Sequence, residues 1–191
     1  DLSTGSVDNV DRLRSNPRFR LQVASVLEKQ ELAIAIDRAD AVFHLASAVS
    51  GECELDFDLG MRSNLDSTRA LLDAVRKAGN APRFVFSSSV AVFGPDPGRP
   101  LPDVVADDTL PTPQTSYGTQ KLMCEQLIAD CTRKGFIDGR AARLMTVTVR
   151  PGKPNAAASS FFSGIIREPL AGVESICPVD ERVSHPVSSP A

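Results

Sequence analysis

Residues 83–89 have the sequence Arg-Phe-Val-Phe-Ser-Ser-Ser, a short apolar run that ends in three serines. Such a run, almost unbroken by polar residues, is typical of a strand that is buried on both faces of a parallel sheet. Residues 41–46 (AVFHLA) form a similar run, and residues 143–150 (RLMTVTVR) form a third. An alternating pattern at 19–23 predicts one more strand.

Segments with helical spacing separate these strands. Apolar residues at intervals of three and four predict helices over 28–36, 54–78 and 116–134. Strands that alternate with helices predict an α/β fold, in which helices cover both faces of a doubly wound parallel sheet.

In such a fold, the residues just past the carboxyl end of each strand face the ligand crevice. Here those residues are 46–50, 87–89 and 151–155. A further segment, 94–113, is rich in Pro and Asp and predicts a loop of a length that is usually functional.

One pair of residues has the chemistry of an acid/base site. Tyr117, the single tyrosine of the chain, and Lys121 stand four positions apart at the start of a predicted helix. Both side chains should leave the same helix face, and a cation beside a phenol favours the phenolate. This arrangement suits a base that takes a proton from an alcohol while hydride leaves the same carbon. The alternative is an ordinary amphipathic helix with a solvated lysine.

The composition excludes several classes of function. The 191 residues carry a net charge of -3 with no basic stripe, so nucleic acid and anionic membranes are poor partners. No stretch approaches ~18 uninterrupted apolar residues. The four cysteines lack the paired spacing of a metal site and predict core thiols in a reducing compartment, the cytoplasm: Cys53, Cys124, Cys131 and Cys177.

Five pieces of the sequence resemble the extended short-chain dehydrogenases/reductases, also called the NAD-dependent epimerase/dehydratase family. They are residues 1–5, 42–46, 64–68 and 86–94 and the Tyr117/Lys121 pair. Within that family, the chain is most similar to the D-erythronate dehydrogenase group, through residues 48–52, 116–121, 150–155 and 161–170.

The resemblance implies an NAD-dependent oxidoreductase with a Rossmann-type sheet. Hydride would pass between the nicotinamide and a secondary alcohol of a small sugar acid such as D-erythronate. Tyr117 would be the acid/base, Lys121 would lower its pKa and hold the nicotinamide ribose, and Ser89 would bind the reacting oxygen. The alternatives are a nucleotide-sugar 4-epimerase or dehydratase of the same family and, from another class, a non-catalytic fragment or binding module.

The resemblance also implies a set of binding residues. Those expected to contact the cofactor are Ala46, Ser47, Ser50, Ser87, Tyr117, Lys121 and Pro151. Those expected to contact the substrate are Ser89, Lys153 and Asn155, with Arg167 as another cation for a carboxylate. Most have structural alternatives: strand packing for Ala46 and Ser47, capping for Ser50, strand-end hydrogen bonding for Ser87 and Ser88, and surface charge for Lys153.

Two further polar residues are expected to be structural. Asn64 interrupts an apolar helix stripe, and in the family such an Asn supports the backbone of the active site; a solvated helix position is the alternative. His44 lies inside a predicted strand and is expected to be a structural histidine. His185 lies in the polar tail, and the sequence gives it no expected role.

The chain begins without Met and ends in a proline-broken tail, which predicts that it is part of a longer protein. By resemblance, residues 1–155 are a partial NAD-binding domain that lacks the first two strands and their Gly-rich turn, and residues 156–191 start the substrate-binding region. The 191 residues alone are therefore expected to be inactive and not to bind NAD. The last three strands should pair in parallel, with 19–23 separated from them, and the protein should form a homodimer through helices 54–78 and 116–134.

Overall fold

The predicted parallel sheet is present. In the computed structural model, which describes residues 2, 5–150 and 155–189, three strands form one parallel sheet: β1 (Ala41–His44), β2 (Arg83–Ser89) and β3 (Asp138–Leu144). Their order is β1-β2-β3, so the central strand is the one that ends in the three serines. The α/β class is confirmed, as is the parallel pairing of these three strands.

Helices connect the strands and pack against the sheet. The α-helices are α1 (Lys29–Ile36), α2 (Ser50–Leu55), α3 (Phe57–Gly60), α4 (Ser67–Ala78), α5 (Ser116–Arg133) and α6 (Phe161–Leu170). Short 3-10 turns span Val7–Leu13, Val90–Val92 and Ala158–Ser160. Two short strands, β4 (Thr146–Val147) and β5 (Val187–Ser188), pair in parallel and bring the end of the chain back to the segment after β3.

The helix predicted over 54–78 has an irregular start. It consists of α2, α3, a π-helical segment at Met61–Asp66 and then α4. The Asp56 carboxylate caps α3 by accepting from the Leu59 backbone N–H at 2.8 Å. Gly79 ends α4 with φ of +73°, a left-handed conformation that costs glycine little. The helix predicted over 116–134 agrees with α5 to within one residue at its end.

Two predicted strands are wrong in type or position. Residues 19–23 form no strand, and Leu21 and Val23 are 47% and 57% exposed. A strand needs a neighbour for its backbone groups, and this segment lies apart from the sheet, as expected. The strand predicted over 143–150 is instead Asp138–Leu144, because those residues run beside β2 along its full length and β2 ends opposite Leu144.

The main core lies between the sheet and helices α1, α4 and α5. Its fully buried side chains include Val75, Phe84 and Cys124. The outer strand β1 is an exposed apolar edge, with Phe43 at 67% exposure and Leu45, just beyond it, at 65%. Cys53 and Cys124 are buried thiols as predicted, whereas Cys177 is exposed and is not part of the core.

Two searches of the described residues give negative results. None of their helices is long and apolar enough to cross a membrane. They also contain no cluster of His, Cys, Asp or Glu side chains that could hold a metal ion.

We expect Val75→Ala to lower the free energy of unfolding of the whole protein by about 2 kcal/mol, because two buried methyl groups are lost and a cavity is left. The matched control is Val104→Ala, at a side chain that is 78% exposed; it should change stability by less than about 0.5 kcal/mol. Urea unfolding measures both. Equal midpoints for the two variants would contradict the assignment of the core.

Candidate active site

A cleft of about 840 Å³ lies at the carboxyl ends of the three parallel strands. Residues after β1, at the end of β2 and after β3 line it, as predicted from the strand order. Its lining includes the three residues expected to be catalytic, Ser89, Tyr117 and Lys121, together with Ser47 and Ser50. The fold therefore brings the predicted catalytic set together in one place.

The serines at the end of β2 differ in direction, because side chains alternate along a strand. Ser88 is buried against α5, where its hydroxyl donates to the Glu125 carboxylate. The hydroxyl of Ser87 donates to the His44 carbonyl at 3.3 Å, so both serines make the strand-end hydrogen bonds of their structural alternative. Ser89 Oγ accepts from the Ala91 backbone N–H at 3.1 Å, which fixes the oxygen and leaves its proton available to donate.

Tyr117 reaches the strand ends because α5 begins very close to the turn that follows β2. A Cβ atom at Gly118 would lie 2.1 Å from the Ala91 carbonyl oxygen, so this approach requires glycine. The Thr115 hydroxyl caps the helix by accepting from the Gly118 N–H at 3.0 Å. The Glu54 carboxylate accepts from the Ser116 N–H at 2.6 Å, where a negative charge suits a helix N-terminus.

Burial raises the pKa of the Tyr117 phenol, while hydrogen bonding with Ser89 and Ser47 lowers it to a smaller extent. The net direction is opposite to the lowering by Lys121 that the sequence led us to expect. The physical reason is that burial disfavours the charged phenolate more than the neighbouring hydroxyls favour it. The phenol therefore keeps its proton at neutral pH in this structure.

Lys121 is not a solvated lysine. Its side chain is 2% exposed, and its Nζ donates to the Ser87 carbonyl at 2.8 Å. The Nζ also lies 4.7 Å from the centre of the Phe86 ring and 5.5 Å from the centre of the Tyr117 ring. Burial lowers its pKa to about 8. An ammonium has three N–H donors, so the bond to Ser87 leaves donors for a ligand.

Asn64 supports the backbone beside the cleft, as the sequence predicted. Its Oδ1 accepts from the Ala48 N–H and from the Ser47 hydroxyl, each at 2.8 Å, and its Nδ2 donates to Gln120 Oε1 at 2.8 Å. Asn64 is 3% exposed and lies in the π-helical segment. π-Helical segments are frequent at functional sites, and this one joins the loop after β1 to α5.

His44 is the structural histidine that the sequence predicted. It is 4% exposed, its Nε2 hydrogen-bonds Thr68 Oγ1 at 2.9 Å, and it does not line the cleft. Burial, and to a smaller extent the charge of Lys121, lower the pKa of His44 to about 4.

Several predicted binding residues are not brought into the cleft. Ala46 is exposed and is not among the lining residues. Asn155 is also exposed and outside the lining, and its Oδ1 accepts from the Ala157 N–H at 3.1 Å. Arg167 pairs with Glu168 and donates to the Arg150 carbonyl, so it does not face the cleft as a free cation.

The remaining predictions divide into two groups. Ser50 lines the cleft, and its hydroxyl also accepts from the Ala158 N–H at 2.9 Å. Pro151 and Lys153 lie outside the described residues.

The sequence did not identify two cleft residues, His185 and Arg150. His185 hydrogen-bonds Thr146 Oγ1 at 2.9 Å and stacks on Phe162, with ring centres 4.6 Å apart. No local signal marks His185, because the pairing of β4 with β5 brings it there. Arg150 also lines the cleft, and its position just before Pro-Gly beyond a strand was a signal that could have found it.

The described lining of the cleft is positively charged. Its charged side chains are Lys121 and Arg150, and no Asp or Glu is among them. The rest of the described lining is apolar or carries hydroxyl groups, apart from His185. Such a surface fits an anionic or hydroxyl-rich ligand.

The chain resembles known proteins over most of its length. Residues 3–180 match the NAD dependent epimerase/dehydratase family. The chain is 58% identical over 163 residues to a D-erythronate dehydrogenase of Cupriavidus necator, covering 85% of this chain and 49% of that protein. It is 52% identical over 154 residues to a D-erythronate dehydrogenase of Haemophilus influenzae, covering 81% of this chain and 48% of that protein.

A solved structure is also similar. The nucleoside-diphosphate-sugar epimerase from Agrobacterium tumefaciens is 52% identical, with a TM-score of 0.78 over 88% of this chain and 49% of that one. The chain thus spans about half the length of the curated relatives it matches.

The buried His44 should make stability depend on pH. Its pKa is lowered in the folded state, so the unfolded chain binds the proton more readily, and stability is lost as pH falls from about 6.5 towards 4. His44 should contribute about 3 kcal/mol to this loss. Urea unfolding at several pH values measures it. His44→Gln should flatten the profile, whereas His185→Gln, at an exposed position, should keep most of the slope; equal slopes for wild type and His44→Gln would contradict this.

Proposed function

Because the chain belongs to the NAD dependent epimerase/dehydratase family, we propose that the whole protein is an NAD-dependent dehydrogenase. It oxidises a secondary alcohol of a small sugar acid such as D-erythronate. The observation that carries this proposal is the meeting of Ser89, Tyr117 and Lys121 in one cleft. The identity of 58% and 52% to proteins named D-erythronate dehydrogenase supports the substrate class.

The residues of the cleft fit NAD as the cofactor. The buried ammonium of Lys121 has further N–H donors for ribose hydroxyls. Asn64 accepts from the Ala48 N–H and the Ser47 hydroxyl and so fixes the loop after β1. Ser47, Ser50 and Ser87 line the same cleft and are proposed contacts; Ala46 and Pro151 remain predictions. When bound, NAD supplies the acceptor for the hydride.

The protein's own residues handle the proton. In oxidation, the substrate hydroxyl gives its proton to the Tyr117 phenolate oxygen as the carbon loses hydride, and the alcohol becomes a ketone. The Ser89 hydroxyl donates to the reacting oxygen and steadies its developing charge. Because burial raises the pKa of Tyr117, the phenolate is scarce at neutral pH, and oxidation should accelerate as pH rises.

A nucleotide-sugar 4-epimerase is the second candidate, favoured by the 52% identity to a protein named as a nucleoside-diphosphate-sugar epimerase. Such an enzyme would use the same three residues but return the hydride to its substrate, so it would release no net NADH. The third candidate is a non-catalytic binding module. This function would not explain why Ser89, Tyr117 and Lys121 lie in one cleft.

The proposed domain division assigns residues 1–155 to cofactor binding and the catalytic residues, and 156–191 to the start of the substrate region. In support, the later segment contributes Phe161, Phe162 and His185 to the cleft. Lys153 and Asn155 remain predicted substrate contacts. We also propose a reducing compartment, the cytoplasm, since Cys53, Cys124, Cys131 and Cys177 are all free thiols.

We expect Tyr117→Phe in the whole protein to lower kcat by about 10²- to 10⁴-fold, because the proton-transferring oxygen is lost. The affinity for NAD, measured by titration, should change little. Lys121→Met should weaken NAD binding as well as turnover. The assignment would be wrong if Tyr117→Phe kept more than about a tenth of wild-type turnover.

Adjacent serines provide the matched control. Ser89→Ala removes the donor to the reacting oxygen and should lower kcat by about 10²-fold. Ser88→Ala removes a buried hydroxyl that is engaged by Glu125 on α5, so it should affect stability more than kcat. Equal effects of the two changes on kcat would exclude a specific role for Ser89.

We propose that the protein is a homodimer formed through the helices at 54–78 and 116–134. Apolar side chains on this part of the chain are exposed: Leu55 is 90%, Phe57 60% and Met123 41% exposed. Light scattering of the whole protein at micromolar concentration should give the mass of a dimer, and Phe57→Glu should shift it towards the monomer. Val104→Glu, in the exposed loop, is the control; a monomeric wild type would refute the proposal.

A further inference from the structure

Arg150 is a cleft residue to which neither the sequence nor the proposed reaction assigns a role. It follows β4 and lines the same cleft as Ser89 and Tyr117. Its side chain is one of the two charged groups in the described lining, and the other, Lys121, is bound to the Ser87 carbonyl.

The backbone of Arg150 is fixed on both sides. Its N–H donates to Ser163 Oγ at 3.1 Å, and Ser163 is 1% exposed. Its carbonyl oxygen accepts from Arg167 Nη1 at 2.6 Å. Both partners belong to α6, so the helix holds Arg150 at the edge of the cleft.

The guanidinium of Arg150 lacks a partner among the described residues. Its Nε is buried and has no hydrogen bond there, and none of the ion pairs of the described residues includes it. The acid on α6, Glu168, pairs with Arg167 and does not line the cleft. A buried donor without a partner is unfavourable, and a bound anion would relieve that cost.

A carboxylate is the anion that fits the proposed reaction. The guanidinium offers parallel N–H groups that match the two oxygens of a carboxylate. An acid substrate held at Arg150 would still lie in the cleft that contains Tyr117 and Ser89. A neutral sugar of the same length would leave the buried Nε unpaired, so the site would discriminate against it.

We propose that Arg150 binds the carboxylate of the substrate and so makes the enzyme specific for sugar acids. This inference rests on the proposed dehydrogenase function. The resemblance had offered Lys153 or Arg167 as the cation; Arg167 pairs with Glu168, and Lys153 stays a prediction.

The test compares wild-type whole protein with Arg150→Gln, Arg150→Lys and the control Arg140→Gln. Arg140 is an exposed partner of Asp138 outside the cleft, with a side chain 67% exposed. The measurements are kcat and KM for D-erythronate, the KM for NAD, and the affinity of the NADH-bound protein for D-erythronate and for erythritol, its uncharged four-carbon counterpart.

We expect Arg150→Gln to raise the KM and Kd for D-erythronate by about 10- to 100-fold, with a smaller change in kcat and no change in the KM for NAD. Arg150→Lys should fall between wild type and Arg150→Gln, because it keeps the charge but not the fork of donors. Erythritol should bind wild type and Arg150→Gln equally weakly. If thermal melting shows that Arg150→Gln does not fold, Arg150→Lys is used instead. Its KM for D-erythronate should then be about threefold or more above that of Arg140→Gln, and an unchanged KM would refute the inference.

The result that overturns the inference is a KM and Kd for D-erythronate in Arg150→Gln that match those of Arg140→Gln. Loss of UDP-sugar binding in Arg150→Gln, with unchanged acid binding, would assign the arginine to a phosphate and also overturn it. If wild type makes no NADH from D-erythronate, the dehydrogenase proposal fails, and binding alone decides. In that case, the inference is supported if wild type binds D-erythronate and Arg150→Gln does not. It is refuted if wild type does not bind D-erythronate.

Discussion

The burial of one ammonium group organises the site. Lys121 is almost wholly removed from water, and a buried charge is costly unless protein groups replace its hydration. Here the Ser87 carbonyl and the faces of the Phe86 and Tyr117 rings surround it. Because Ser87 lies on β2 and Lys121 on α5, the same contact holds the helix against the end of the central strand. Tyr117, one helical turn before Lys121, is thereby kept beside Ser89.

A second constraint closes the site from the other side. Asn64 bonds the loop after β1 and the Gln120 side chain on α5, while Gly118 lets α5 approach the Ala91 carbonyl more closely than any other residue could. The helix that carries the proposed acid/base pair is therefore held at its start and along its first turns. A site built this way on packed elements keeps its geometry without help from mobile loops.

The sequence predicted the elements that a local pattern of residues determines. It did not predict the features that depend on contacts between distant segments of the chain. The apolar run before Ser87 and the spacing of Tyr117 and Lys121 located β2 and α5. The choice of Ser89 over Ser88 came only from the resemblance, through the spacing to Gly94. The bounds of β3 depend on the length of β2 beside it, which no pattern within 143–150 reveals. His185 reaches the cleft through the pairing of β4 with β5, a contact between segments far apart in the chain. The pKa of Tyr117 is raised because the effect of burial is larger than that of the neighbouring hydroxyl groups. The spacing of residues in the sequence does not show how deeply a side chain is buried.

The most direct test measures whether the protein releases NADH when it oxidises its substrate. The whole protein is incubated with NAD and D-erythronate, and the NADH formed and the acid consumed are both counted. We predict one NADH for each acid oxidised, over many turnovers. This would be contradicted if NADH never exceeded the amount of protein while a UDP-sugar was converted to its 4-epimer, since the hydride would then return to the substrate.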